Sequence, residues 1–184
     1  MAKLDTVEFV LAGFGGQGVL FIGRVLSHAA LNRNVNVSFI PSYGPEMRGG
    51  TANCKVVVSS KEVGSPLVEH PDVLIALNRP SLEKFEKSMK ADGTIIVNSS
   101  LIENKVTRTG VKPFYVPCND IAREAGDDKV LNLVALGAFI ATQDFFTIED
   151  IEQGIEDTIG SKRVDMLETN KKCLRAGYDY VKSL

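Results

Sequence analysis

Cysteine and histidine are scarce in this chain, its charges nearly cancel, and it has no long apolar run. Each absence removes a class of function. Cys54, Cys118 and Cys173 stand far apart, with no CxxC pair and no Cys/His cluster, whereas an iron–sulfur cluster or a structural zinc needs about four closely organised ligands. The chain is therefore expected to hold no metal and no cluster of its own. An odd number of scattered thiols, and a start that reads MAKLDTVEF and not a secretory leader, point to a reducing compartment, the cytoplasm. The two histidines offer little chemistry: His28 falls inside a helical pattern and His70 precedes Pro71 in a loop. A helix-borne histidine is more often packed or solvated than catalytic, and no catalytic residue is nominated.

The 21 basic and 23 acidic residues are interspersed and leave a net charge of −2. No electrostatic footprint for nucleic acid or an anionic membrane results. The longest apolar run, 130–141, is interrupted by Asn132 and falls far short of the ~20 residues that span a bilayer. It reads as a helix buried all round. Its small residues Ala135, Gly137, Ala138 and Ala141 would admit another backbone at close range, within this domain in preference to a subunit contact.

At 184 residues the chain fits one domain, 1–184, able to bury roughly 70% of its unfolded surface. An apolar strand over 7–12 ends in a glycine turn. A helix follows, with Val19, Ile22, Leu26 and Ala29 on one stripe. Val35, Val37 and Phe39 alternate with polar residues over 34–40, a second strand that Pro41 is expected to stop. Residues 52–59 and 62–63 flank Ser60-Lys61 as a plausible hairpin that would add an antiparallel element. Val73–Leu77 is apolar throughout, as in a strand covered on both faces, and Asn78 with Pro80 marks a helix start. Further strands are expected at 94–97 and 114–116, and helices at 81–90, 120–125, 130–143, 148–158 and 164–182. The last helix carries Val164, Leu167, Leu174, Tyr178 and Val181 on one stripe. Strands alternating with helices over one domain length predict a three-layer, Rossmann-like α/β fold with a mostly parallel, mixed sheet.

Gly13-Phe14-Gly15-Gly16-Gln17-Gly18 has the GxGxxG spacing between a first strand and a first helix. Such glycines permit a tight turn and close approach of a ligand, and free N–H groups at the helix start favour an anion. A dinucleotide site also needs an Asp or Glu about 20 residues on, at the end of the second strand. That strand ends Phe39-Ile40-Pro41-Ser42 and supplies none. The plain alternative is that the glycines only let helix and strand pack closely; it suits Gly13 and Gly18 best. Gly15, Gly16 and Gln17 lean toward a binding role, with the amide at an open helix N-terminus.

The segment SYGPEMRGG, 42–50, has three glycines and a proline in nine positions, which marks a long shaped loop. It carries the charged pair Glu46 and Arg48. On a surface that pair is worth about 0–1 kcal/mol, but a loop of this length usually has a role. In a doubly wound sheet the loops after the first and second strands share the carboxyl edge, so the two glycine loops should be neighbours.

GFGGQGVLFIGRVLSHAA, then SYGPEMRGGTANC, then Asn132-Leu133-Val134-Ala135-Leu136-Gly137-Ala138 resemble, in order and over nearly the whole chain, the gamma subunit of 2-oxoacid:ferredoxin oxidoreductases. That subunit is equivalent to one domain of single-chain pyruvate:ferredoxin oxidoreductase. The second motif is most like the 2-oxoglutarate type, with pyruvate and branched-chain relatives also open. The resemblance implies a hetero-oligomer that decarboxylates a 2-oxoacid on thiamine diphosphate, passes electrons through iron–sulfur clusters to ferredoxin, and forms an acyl-CoA. Thiamine diphosphate and Mg would belong to the alpha and beta subunits, and the clusters to beta and delta. The gamma chain would be inactive alone and would help assembly and coenzyme A binding.

On this reading Gly15, Gly16, Gln17 and Gly18, with Ser42, Tyr43, Gly44, Glu46, Arg48 and Gly49, form an edge facing the large subunits and coenzyme A. The planar fork of Arg48 suits a phosphate or a carboxylate. Two other classes stay open on the residues: a free-standing NAD-dependent oxidoreductase, and a nucleotide-binding scaffold module.

Overall fold

The computed structural model describes residues 5–44, 50–160 and 164–184. Their element order follows the alternation of apolar runs and helical stripes. It begins β1 (Thr6–Phe14), α1 (Val19–Asn32), β2 (Asn36–Tyr43), β3 (Thr51–Ser59), β4 (Val73–Ala76) and α2 (Arg79–Phe85). β5 (Thr94–Asn98), β6 (Lys112–Val116), α3 (Cys118–Ala125), α4 (Leu131–Ile140), α5 (Ile148–Ile159) and α6 (Val164–Lys182) complete it. Local chemistry fixes several of the ends. The Asn78 side chain caps α2 by accepting from the Ser81 N–H at 2.9 Å. Thr147 and Asp150 form a reciprocal capping box on α5, which satisfies two otherwise orphaned donors.

One six-stranded sheet has the order β2-β3-β1-β4-β5-β6. β4 pairs parallel with β1 and β5, and β5 parallel with β6. β3 alone opposes the rest, antiparallel to β1 on one side and to β2 on the other. The sheet is thus mixed, as the sequence predicts, but the antiparallel partner differs. Residues 62–63 form no strand. β3 folds back on β2 across 44–50, with Tyr43 opposite Ala52 and Asn36 opposite Ser59. A two-residue turn at Ser60-Lys61 would have paired only two residues, whereas the β2–β3 register runs the full length of β2. Pro41 also does not stop its strand: it pairs with Cys54 inside β2. β2 is the sheet edge, where a missing N–H can face away from the ladder.

Helices cover the two faces unequally. One face, with Phe9, Leu11, Val56 and Ile75, packs under α1, α3, α4, α5 and α6. The opposite face, with Val10, Val57, Leu74 and Ile95, packs under α2 and the loops that carry Val68 and Ile102. Every residue of α4 is buried, and in α6 Leu174 is fully buried. α4 and α6 touch backbone to backbone. A Cβ on Gly137 would collide with the Leu174 carbonyl, and one on Gly177 with the Val134 carbonyl. The close approach that the small residues of 130–141 suggested is therefore made within the chain, to α6.

Alanine at either glycine would gain about 1 kcal/mol of helix propensity. Against this stands overpacking, typically about 1–3 kcal/mol, and here the obstruction is backbone, which cannot swing aside as a side chain does. With overpacking in the upper part of that range, Gly137→Ala and Gly177→Ala are each expected to lower the midpoint of urea unfolding, by a net loss of about 1–2 kcal/mol. An unchanged or raised midpoint would refute this packing argument.

Candidate functional site

The turn after β1 is built from its own side chains. Gly16 and Gly18 adopt φ of 100° and 73°, in the left-handed region that disfavours a Cβ. The Gln17 N–H donates to the Phe14 carbonyl at 3.1 Å and closes the turn. The Gln17 side chain then folds back: Oε1 accepts from the Phe14 N–H at 2.7 Å and from Asn78 Nδ2 at 3.3 Å. Its Nε2 donates to the Leu77 carbonyl at 3.3 Å. Gly13 makes room for this brace, since a Cβ there would sit 2.8 Å from Gln17 Oε1. From the other side Asn132, at the start of α4, donates to the Gly18 carbonyl at 3.1 Å and would collide with any Cβ at Gly18. Asn98 extends the network, donating to Leu77 O at 3.3 Å and to Asn119 Oδ1 at 2.9 Å. Amide side chains therefore join the carboxyl ends of β1, β4 and β5.

This arrangement bears on the dinucleotide reading. The chain leaves β1 toward one side of the sheet and continues from β4 toward the other, so the β1/β4 junction is the switch point where doubly wound sheets take their ligands. Gln17 bridges that junction with both amide atoms engaged. At the end of β2, Ser42 lies opposite Asn53, and among the described residues there no acid stands ready for a ribose. The geometry favours close packing as the role of Gly13 and Gly18 and makes Gln17 a brace of the turn.

The two glycine loops are neighbours, as expected. Phe14 pairs with Thr51, and the Gly15 N–H donates to the Gly50 carbonyl at 2.8 Å. β3 stands between β1 and β2, however, so Ser42, Tyr43 and Gly44 sit one strand away from Gly15–Gly18. Gly44 donates to the Thr51 carbonyl at 3.4 Å. Glu46, Arg48 and Gly49 lie outside the described residues.

Beside the loops a cleft of about 450 Å3 opens along α1. Gly15, Gly16 and Gly18 form its mouth, Leu20, Phe21 and Arg24 one wall, and Thr51 and Ala52 the floor. Phe14 borders it and is 36% exposed. No side chain caps α1, so the helix start adds partial positive charge. Sequence reading missed Phe14, Leu20, Phe21, Arg24, Thr51 and Ala52. The signal was present: Leu20 and Phe21 are apolar yet lie off the buried stripe of Val19, Ile22, Leu26 and Ala29.

Among the described residues no three His, Cys, Asp or Glu side chains are placed to hold a metal ion, and no helix is long and apolar enough to cross a membrane. His28 lies on α1, half-buried, and His70 Nδ1 sits 3.1 Å from the Ser88 carbonyl. All three cysteines are buried and free. Burial pushes the Cys54 thiol up from an ordinary value near 9 to about 12 and Cys173 to about 11, and raises Cys118 as well.

A raised thiol keeps its proton in the folded state while the unfolded chain ionises. The contribution to stability is thus complete below about pH 9 and lost as pH climbs beyond it. The native protein should resist alkylation at pH 8 and label at all three cysteines once unfolded; fast native labelling would contradict the burial. Gln17→Ala should cost about 1 kcal/mol, because the Phe14 N–H loses its side-chain acceptor and the Leu77 carbonyl keeps Asn98 as its side-chain donor. Gln17→Glu keeps the acceptor but loses the donor to Leu77, so it too should destabilise. Denaturant midpoints equal to wild type for both would refute the brace.

The family model for pyruvate ferredoxin/flavodoxin oxidoreductase matches residues 8–180. The chain is 40% identical over 181 residues to ketoisovalerate oxidoreductase subunit VorA of Methanothermobacter thermautotrophicus, covering 98% of this chain but 37% of that relative. It spans little more than a third of the length of that relative. It is 32% identical over 182 residues to 2-oxoglutarate synthase subunit KorC of Methanocaldococcus jannaschii, covering 96% of this chain and 95% of the relative. Among solved structures, the keto/oxoacid ferredoxin oxidoreductase gamma subunit of Geobacter sulfurreducens superposes with a TM-score of 0.82 at 26% identity, over 97% of this chain and 99% of that one. The match along β1 to α6, in sequence and in fold, places this chain in the pyruvate ferredoxin/flavodoxin oxidoreductase family.

Proposed function

We propose that this chain is a non-catalytic gamma-type subunit of a cytoplasmic 2-oxoacid:ferredoxin oxidoreductase, of the 2-oxoglutarate type. The observation that carries the reading is the nearly end-to-end match to a free-standing 2-oxoglutarate synthase subunit, 95% of whose length is covered. The whole enzyme would convert a 2-oxoacid and coenzyme A to an acyl-CoA and CO2, with two electrons passed to ferredoxin. Thiamine diphosphate, Mg and iron–sulfur clusters, held by alpha, beta and delta partners, would supply the carbanion and redox chemistry. This chain's own part is to present an edge, residues 15–18 with residues 42–50, to the larger subunits and coenzyme A. A braced glycine turn suits that part because it holds a fixed surface without a moving loop. A second reading keeps the same role but a branched-chain oxoacid, favoured by the 40% identity to the ketoisovalerate subunit.

Co-expression with candidate alpha, beta and delta subunits, purified through a tag on this chain, is expected to yield a brown complex that oxidises an oxoacid only with coenzyme A. Repeated recovery of this chain alone would refute the proposal. Comparing 2-oxoglutarate with 2-oxoisovalerate as substrates decides between the two readings. In the assembled complex Arg48→Ala should raise the KM for coenzyme A; unchanged coenzyme A kinetics would limit Arg48 to a contact between subunits.

A further inference from the structure

The cleft beside α1 combines apolar walls with a cation that the fold does not use. Arg33, Arg79, Arg123 and Arg175 each hold a carboxylate within this chain, and Arg108 donates to the Met89 carbonyl. Arg24 is exposed and, among the described residues, has no bonded partner. It stands on the same helix wall as Leu20 and Phe21, with Phe14 across the mouth. The other described arginines are engaged within the chain. Between α5 and α6, for example, Glu152 takes Arg175 and Glu156 takes Lys171, a pattern suited to water.

We propose that this cleft docks an acidic, apolar-tipped segment of a larger subunit of the oxidoreductase, an aliphatic or aromatic side chain entering between Phe14, Leu20 and Phe21 while its neighbouring carboxylate meets Arg24. Charge complementarity selects the occupant: a lone guanidinium beside an uncapped helix start favours a carboxylate, and the apolar walls favour a buried side chain in place of water. The size of the ketoisovalerate relative agrees with an occupant from the same enzyme. In the ketoisovalerate subunit the matched part is 37% of the polypeptide, so a larger body accompanies this domain there. The inference rests on the subunit reading above and adds which residues make the contact and what chemistry they meet.

Competitive incorporation tests it. Wild-type and variant chains, distinguishable by mass, are expressed together with the partner subunits, and their ratio is read in the purified complex. Arg24→Glu and Leu20→Asp are each expected to enter the complex about tenfold less than wild type. Arg24→Lys should be intermediate, and Lys61→Glu at the opposite end of the sheet should enter equally. Loss of folding is not the expected cause for Arg24→Glu, because Arg24 is exposed; Leu20 is partly buried against the core, so thermal melts of the separate variants accompany both, and Arg24→Glu carries the test. Equal incorporation of Arg24→Glu and wild type overturns the inference. So does equal incorporation with a raised KM for coenzyme A, which would give the cleft to the coenzyme's phosphates. A wild-type chain that never assembles overturns the subunit reading itself, and this contact with it.

Discussion

Gln17 ties together the ends of two adjacent parallel strands. Its amide oxygen takes the N–H of Phe14 at the end of β1, and its amide nitrogen reaches the carbonyl of Leu77 just past β4. The surrounding choices follow from that bridge. Gly13 must lack a Cβ to admit the amide, Gly16 and Gly18 must turn left-handed to return the chain into α1, and Asn78 serves both as cap of α2 and as donor to Gln17. A hydrogen bond is worth only about 1 kcal/mol net, but a buried polar group left unmatched costs about 1–3 kcal/mol. The network of Gln17, Asn78, Asn98 and Asn132 therefore acts mainly by making other positions of the loop unfavourable.

A second constraint holds the helical face. Gly137 and Gly177 let α4 and α6 meet at backbone distance, which sets Asn132 at one end of α4 against Gly18. Packing deep in the domain thus reaches the glycine loop through a single helix. The same edge then offers outward what it does not need inward: an uncapped helix start, two off-stripe apolar residues and Arg24. A surface of this kind, fixed by internal bonds and short of partners, suits a chain that works as a part of something larger.

Much of this was legible from residues. The β1-α1-β2 order, the all-round apolar helix at α4, the Asn78 cap and the neighbourhood of the two glycine loops all follow from local patterns. Strand pairing did not: periodicity says that 52–59 is extended but not whether it folds onto 62–63 or back onto β2, and long-range register decided the matter. Pro41 misled because a proline ends a central strand but is tolerated at a sheet edge, and edge position is a property of the whole sheet. The direction of Gln17 was equally hidden, since its partners Leu77 and Asn78 lie some sixty positions away. Arg24 passed unnoticed because a lone arginine on a helix carries no signal until the charges around it are placed.

The central claim is that GFGGQG is a braced structural turn and not a dinucleotide site. The most direct test is amide-resolved NMR of residues 13–19 during titration with NADH. The account predicts no saturable shift at Gly15, Gly16 or Gly18 up to millimolar cofactor; saturable shifts there at micromolar concentration would contradict it.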